Sequence, residues 1–486
     1  RNIATLQRDT NDTVTFHTNL NATHTARPPK VPQRGGRRVQ IPTTPWLHTH
    51  HWFHAASPNT VQRNAIADPD GEYHEWFHQL SWPVRDIPQG GGESSWLVIA
   101  DESGAELAEL LGPGSRTMPL SALAAGGDAD GLSSVLDGVD HVVYAPSVAA
   151  GRFDAADSYA SFHQLRRLVV ALAASASANS KAPRLFVVTR NAQPAVDGDR
   201  ANPAHAVLWG LGRTLALEHP EFWGGLVDVD ETLPPELLSM YLRAEAGITD
   251  TDRDDQAIYR AGERRVPRLE PRPLPAVPLT RLESGTSHLV IGATGNVGPH
   301  LIRQLAEMGA STIVAVSRRG GSQLSDLAAE VAPGGTTLVE VAADAADEAS
   351  MARVFDRFGK DLPPLDGVYL ASLAGGEALL TDMTEDDLTP MFRAKVDAAA
   401  VLHKLSLRTP VRRFVLFSSI TGLLGSRAVA HYTAANAFAD AFAHARRALG
   451  LPATVIDWGL WKSWSDAQPQ MKAGGLEPMP NEVAIR

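Results

Sequence analysis

His288-Leu289-Val290-Ile291-Gly292-Ala293-Thr294-Gly295-Asn296-Val297-Gly298-Pro299 is the stretch on which the fold turns. Residues 288–291 form a short apolar run, the pattern of a buried strand, and a helical pattern begins at Pro299. Between them glycines fall at Gly292, Gly295 and Gly298. Glycine permits a tight turn and lets the backbone approach a pyrophosphate, while the helix N-terminus offers N–H groups and the positive end of its dipole. In this strand–loop–helix setting the spacing predicts a dinucleotide cradle made of Gly292, Thr294, Gly295, Asn296, Val297 and Gly298. The competing reading of the same glycines is a structural turn.

Outward from this loop, residues 312–316, 338–341, 367–370, 414–417 and 453–457 read as further buried strands with helices between them. Upstream the alternation recurs. Strands at 96–100, 141–145 and 185–188 are separated by helical stretches at 105–111, 162–174 and 205–218. Strands alternating with helices imply parallel sheets. The turn after 96–100 is Asp101-Glu102-Ser103-Gly104, with one glycine and two acids where a phosphate cradle needs several glycines and no negative charge. The expected fold is therefore α/β with two Rossmann-like subdomains: an N-terminal structural one without a cofactor loop and a C-terminal catalytic one. Residues 265–285, rich in proline, read as a semi-extended connector.

Composition narrows the function. The 486 residues suggest about three domains. A net charge of −11 argues against a nucleic-acid partner. With no cysteine there is no disulfide, thiolate nucleophile or Cys-ligated zinc. No apolar run reaches the roughly 18 residues of a membrane span, and the start, Arg1-Asn2-Ile3, is not a signal peptide. These features predict a cytoplasmic protein, and its non-Met start and its end at Ile485-Arg486 read as a piece of a longer polypeptide. Four histidines in 48–54 suggest a metal, but no carboxylate or cysteine completes a ligand set, so surface packing is the reading and no metal site is expected.

Ser317, Arg318 and Arg319 follow the second strand of the catalytic half. An acid there would hold the ribose 2′-hydroxyl of NAD, whereas two arginines suit a 2′-phosphate, so NADPH is the expected cofactor. Asp344 stands where an adenine amino group could be held. Ser419 ends a strand and Tyr432 comes thirteen residues later, with Asn436 one helical turn beyond it on the same face. Lys395 belongs to an earlier helix. Singly these are a strand-end serine, a half-buried tyrosine and a surface lysine. Together, after a cofactor loop, they supply what carbonyl reduction needs: a hydroxyl on the carbonyl oxygen, a proton donor, and an ammonium that lowers the tyrosine's pKa from about 10.

With these residues in place, the chain resembles the ketoreductase domain of modular type I polyketide synthases, within the short-chain dehydrogenase/reductase superfamily. Ile41-Pro42-Thr43-Thr44-Pro45-Trp46 is similar to the linker after an acyltransferase. Leu208-Trp209-Gly210-Leu211-Gly212-Arg213 and Trp223-Gly224-Gly225-Leu226-Val227-Asp228 are similar to the family's structural subdomain. Phe417-Ser418-Ser419, Tyr432 to Asn436 and Asp457-Trp458-Gly459-Leu460-Trp461 are similar to its catalytic one.

The resemblance implies an acyltransferase end at 1–24, a linker at 25–56, a structural subdomain at 57–272 and a catalytic subdomain at 273–486 that stops short of the family's last helix. It makes Tyr432 the proton donor and Ser419 the carbonyl's anchor. Lys395 would position the nicotinamide ribose and tune Tyr432, and Asn436 would support the lysine and a relay water. It implies NADPH-dependent reduction of a β-keto group on a phosphopantetheine-bound chain. The chain would be held by an acyl carrier protein, with ketosynthase and acyltransferase domains on the same polypeptide.

Three positions depart from the pattern. Leu373 stands where the family has a glycine near the nicotinamide, Gly375-Gly376-Glu377 replaces a Leu-Asp-Asp marker of stereochemistry, and Leu424 stands where the other stereochemical class has tryptophan. The first two keep open a silent structural module, the last two leave the alcohol's configuration open, and a free-standing NADP-dependent dehydrogenase is a further alternative.

Overall fold

The computed structural model describes residues 76–485 except 102–103, 124–128, 147–152, 179–181, 196–198, 249–253, 273–279, 320–323 and 468–476. The expectations for residues 1–24 and 25–56, including the histidines of 48–54, fall outside the described residues. In chain order the strands are β1 (His78–Ser81), β2 (Val84–Arg85), β3 (Trp96–Ala100), β4 (Arg116–Pro119), β5 (His141–Ala145), β6 (Arg184–Arg190), β7 (Trp223–Val229), β8 (Gln256–Arg260), β9 (Glu263–Arg265), β10 (Arg268–Pro271), β11 (Ser287–Ile291), β12 (Thr312–Ser317), β13 (Thr337–Ala342), β14 (Leu365–Leu370), β15 (Arg413–Ser419) and β16 (Thr454–Trp458). Six helices carry the argument: α1 (Ala155–Ala178), α2 (Pro203–Glu218), α3 (Gly298–Glu307), α4 (Glu385–Phe392), α5 (Thr421–Leu424) and α6 (Ala430–Ala448).

The second half is a six-stranded sheet in the order β13-β12-β11-β14-β15-β16. Its pairings are all parallel, the doubly wound dinucleotide-binding order. Register decides where chemistry can occur. Ile291 pairs with Val316 and with Leu370, so Gly292, Ser317 and Ala371 emerge together at one sheet edge. Strand β15 brings Ser419 to that end beside Trp458.

The first half is an eight-stranded sheet, β2-β9-β8-β7-β6-β5-β3-β4, parallel from β4 to β8 and antiparallel at β9 and β2. Both sheets fit the expected Rossmann-like α/β fold. A charge network ties off the carboxyl end of β7. Asp228 accepts hydrogen bonds from Thr189 Oγ1 (2.6 Å) and the Ala192 amide (2.8 Å) and pairs with Arg260 at 2.5 Å. Part of the proline-rich connector is strand rather than linker, because Arg268–Pro271 pairs antiparallel with His78–Ser81.

The halves interlock through α2 and α6. Asn202 caps α2 by accepting from the His205 amide, and Pro203 starts it with a preset φ. From Pro203 to Leu215 every residue of α2 is buried, as befits a helix held between its own sheet and a second helix. Thr214 Oγ1 meets Thr433 Oγ1 at 2.9 Å, and Arg213 Nη1 donates to the Gly422 carbonyl at 2.5 Å.

Candidate active site

The glycine loop is a tight turn between β11 and α3. Gly292 takes φ +87°, and a Cβ there would lie 2.7 Å from the backbone of Ser372. Gly298 opens α3, and a Cβ on it would strike the Ala293 carbonyl at 2.4 Å. Any side chain at these two positions would strike backbone, so glycine is what lets the loop pack this tightly at the N-terminus of α3. A cavity of about 470 Å³ begins there and is lined by Gly292, Thr294, Gly295, Asn296 and Val297, by Ser317, Arg318 and Asp344, by Ala371 to Gly375, and by Arg393 and Trp464. A smaller one of about 270 Å³ adjoins it, lined by Thr294, Ser317, Arg318 and Arg319. Both arginines are exposed.

Asp344 lies in the same cleft and is already engaged. Its Oδ1 accepts from the Ala346 amide at 3.0 Å and its Oδ2 pairs with Arg393 at 2.6 Å. Burial would raise its carboxyl pKa, but these two donors outweigh that and hold it below the usual range. Sequence reasoning missed Arg393. Its only signal was its place two residues before Lys395.

Lys395 lies not on a regular α-helix but on a π-helical turn, Arg393–Asp397, that continues α4. Such turns rotate side chains relative to an α-helix and concentrate at functional sites. The turn is pinned from both halves. Tyr159 of α1 donates to Asp397 at 3.2 Å, and Ser372 Oγ donates to the Ala394 carbonyl at 2.5 Å. Lys395 is 6% exposed, donates to the Phe417 carbonyl at 2.7 Å, and lies 5.6 Å from the Tyr432 ring centroid. Burial pushes its pKa down to about 8, against the pull of the Asp440 and Asp457 carboxylates.

Tyr432 and Asn436 share one face of α6, one turn apart, as expected. Burial raises the Tyr432 phenol above its ordinary value, and the polar side chains of Ser419 and Asn436 beside it pull it back. Ser419 ends β15, and its Oγ accepts from the Thr421 amide (3.3 Å) and hydroxyl (3.2 Å). Asn436 is fully buried, and among the described residues neither its amide nitrogen nor its oxygen meets a hydrogen-bond partner. Two buried polar atoms left open in this way fit a bound polar ligand or water.

Behind Lys395 stand Asp440 and Asp457, whose carboxyls lie close to each other and to Ser418. Burial pushes both pKa values up, and in Asp440 the neighbouring charge of Asp457 adds to the rise. Leu373 lines the large cavity, and Leu424 lies exposed at the end of α5. Among the described residues no group of His, Cys, Asp and Glu side chains could hold a metal ion.

Residues 286–463 match the KR domain family, and residues 94–269 match the family described as polyketide synthase extender module SpnB, Rossmann fold domain. The chain belongs to the ketoreductase region of modular type I polyketide synthases. This ketoreductase is 52% identical over 504 residues to a phenolphthiocerol/phthiocerol polyketide synthase of Mycobacterium bovis, covering 99% of this chain and 32% of that protein. It is 32% identical to pikromycin polyketide synthase component PikAIII of Streptomyces venezuelae, covering 94% of this chain and 28% of that one. The chain thus spans about a third of the length of these relatives.

Among solved structures, an A1-type ketoreductase superposes with a TM-score of 0.73 at 29% identity, covering 85% of this chain and 89% of its own. A C2-type ketoreductase from a modular polyketide synthase gives 0.71 at 27% identity, covering 84% and 91%. Ketoreductase domains are pyridine-nucleotide-dependent oxidoreductases of the short-chain dehydrogenase/reductase superfamily. No helix among the described residues is long and apolar enough to cross a membrane.

Proposed function

We propose that this chain reduces the β-keto group of an acyl thioester to a β-hydroxyl, using NADPH, with the acyl chain carried on the phosphopantetheine arm of an acyl carrier protein. Ketosynthase and acyltransferase domains of the same polypeptide would supply that chain. On this reading residues 57–272 are the structural subdomain and 273–486 the catalytic one. The observation that carries it is the convergence of Ser419, Tyr432, Lys395 and Asn436 at the sheet edge that holds the glycine cradle.

When bound, the reduced nicotinamide supplies a hydride to the carbonyl carbon. The chain's residues handle everything else. The loop from Gly292 to Gly298 and the N-terminus of α3 would receive the pyrophosphate. Ser317, Arg318 and Arg319, around the smaller cavity, would pair with a 2′-phosphate, and Asp344 would face the adenine. Ser419 donates to the substrate oxygen, and Tyr432 delivers a proton to it as negative charge develops. Lys395, cationic below about pH 8, would hold the ribose hydroxyls. Asn436 offers its two open polar atoms to a water that reloads Tyr432.

The test is NADPH oxidation by the purified protein with a β-ketoacyl thioester analogue, with NADH in parallel and Tyr432→Phe as control. Turnover with NADPH that is lost in the Phe variant is the expected result. NADPH binding without turnover, even with the substrate loaded on a carrier protein, would sink the reading.

A further inference from the structure

Glu218 is the last residue of α2, in the half without a cofactor loop, yet its carboxylate is committed to the other half. Its Oε2 accepts from the Leu380 amide at 2.8 Å and its Oε1 from the Ala428 amide at 2.6 Å. These amides belong to two segments that run from or into residues of the candidate site. Leu380 follows the loop that holds Leu373 and Gly375-Gly376-Glu377, and Ala428 precedes Tyr432 by one turn of chain. The segments also touch each other: the Ala378 amide donates to the Ala428 carbonyl at 2.7 Å, and Ala378 forms a parallel bridge with Val429.

We propose that Glu218 is a positioning residue that fixes the distance between these two segments, and that through them it sets which face of the ketone is presented for reduction. The inference rests on the reductase reading above.

Three further observations point the same way. Ala428 has φ +60°, a conformation an alanine adopts only when its surroundings impose it. Glu218 holds the amide of that strained residue through a charge-assisted bond. Leu380 is fully buried and gripped at both ends of its peptide, since Arg166 of α1 donates to its carbonyl at 3.2 Å. Finally, α2 reads out the Ser419–Tyr432 loop in steps. Arg213 holds the Gly422 carbonyl, Thr214 the Ser426 carbonyl at 3.1 Å, and the Leu217 carbonyl accepts from Arg427 at 3.2 Å, before Glu218 reaches Ala428. At Glu218 this series extends to the second segment, through the Leu380 amide.

Glutamine is isosteric but has one acceptor oxygen, so Glu218→Gln turns its NH₂ toward one of the two amides. The experiment compares the unaltered chain, Glu218→Gln and Glu218→Gln with Ala428→Gly, using NADPH and a 2-methyl-3-ketoacyl thioester. Melting temperature, NADPH dissociation constant, kcat, KM and the diastereomer ratio of the alcohol are recorded. In Glu218→Gln, kcat is expected to fall about tenfold or more with NADPH affinity unchanged, and the diastereomer ratio to move toward equal amounts. Glycine at 428 relieves the strain and is expected to restore part of both.

A folded Glu218→Gln protein with unchanged kcat and diastereomer ratio overturns the proposal. So does a lowered melting temperature as its only effect. Amide hydrogen exchange on the unaltered chain judges the clamp without any variant: slow exchange at Leu380 and Ala428 is expected, and fast exchange at either one refutes it. If the unaltered chain binds NADPH but never turns over, the reductase reading fails, while the exchange result still decides the clamp.

Discussion

A methyl group on Gly210 would lie 2.2 Å from the carbonyl oxygen of Thr433, so α2 and α6 meet backbone to backbone. Thr433 Oγ1 closes the contact by donating to the Gly210 carbonyl at 2.9 Å. The residue that follows Tyr432 is thus packed against the half of the molecule that carries no cofactor loop.

Gly210→Ala tests that contact. Neither backbone can yield without moving a helix, so the loss should reach the upper end of overpacking costs, about 3 kcal/mol. Urea unfolding should show a lower midpoint at unchanged slope, and turnover should fall as Tyr432 shifts. An unchanged midpoint would mean that the helices are free to separate.

Arg318 and Arg319 are expected to discriminate between cofactors. Replacing both with alanine should lower kcat/KM for NADPH about a hundredfold or more, from the loss of two charge-assisted contacts, and leave that for NADH nearly unchanged. Equal losses with both cofactors would assign the arginines to general electrostatics.

Lys395 links pH to both stability and rate. Its folded pKa of about 8 is below the ordinary 10.5. Burying the ammonium therefore costs stability at every pH below 8, on the order of 3 kcal/mol, and that cost fades between the two values as the unfolded chain alone keeps the proton. Lys395→Met should accordingly melt at least as high as the unaltered chain at pH 7 while losing turnover. In the unaltered chain kcat should be level below about pH 8 and fall above it.

The acid pair gives the opposite slope. Burial raises the folded pKa of Asp440 above its ordinary 3.8, so its contribution is most favourable when protonated and is lost as pH rises. Asp440→Asn keeps the shape without the charge and should raise the melting temperature at neutral pH. It also removes a carboxylate that favours protonated Lys395, so the alkaline fall in kcat should move to lower pH. A pH–rate profile of the variant checks this.

What could be read in the sequence was what neighbouring residues specify among themselves. The glycine loop is such a feature, as is the one-turn spacing of Tyr432 and Asn436, because a strand, a turn and a helix face are each written in a few consecutive positions. The π turn at Arg393–Asp397 was not legible, since its residues read as ordinary helix and its extra residue is accommodated by Tyr159 and Ser372 from elsewhere in the chain. Strand β7 contains Gly224-Gly225 and β4 is a four-residue edge strand ending in proline, patterns that sequence reading assigns to loops. What Glu218 holds could not be read locally, because its two partners lie 162 and 210 residues away.

The seam between α2 and α6 has a consequence for anyone who recombines such enzymes. A crossover placed in the connector after β10 looks natural, since it separates the two sheets, but it would part Gly210, Thr214 and Glu218 from the backbone they were shaped against. A chimera cut there inherits a foreign groove for its reactive helix. The unit that can be transplanted intact is the pair of halves together.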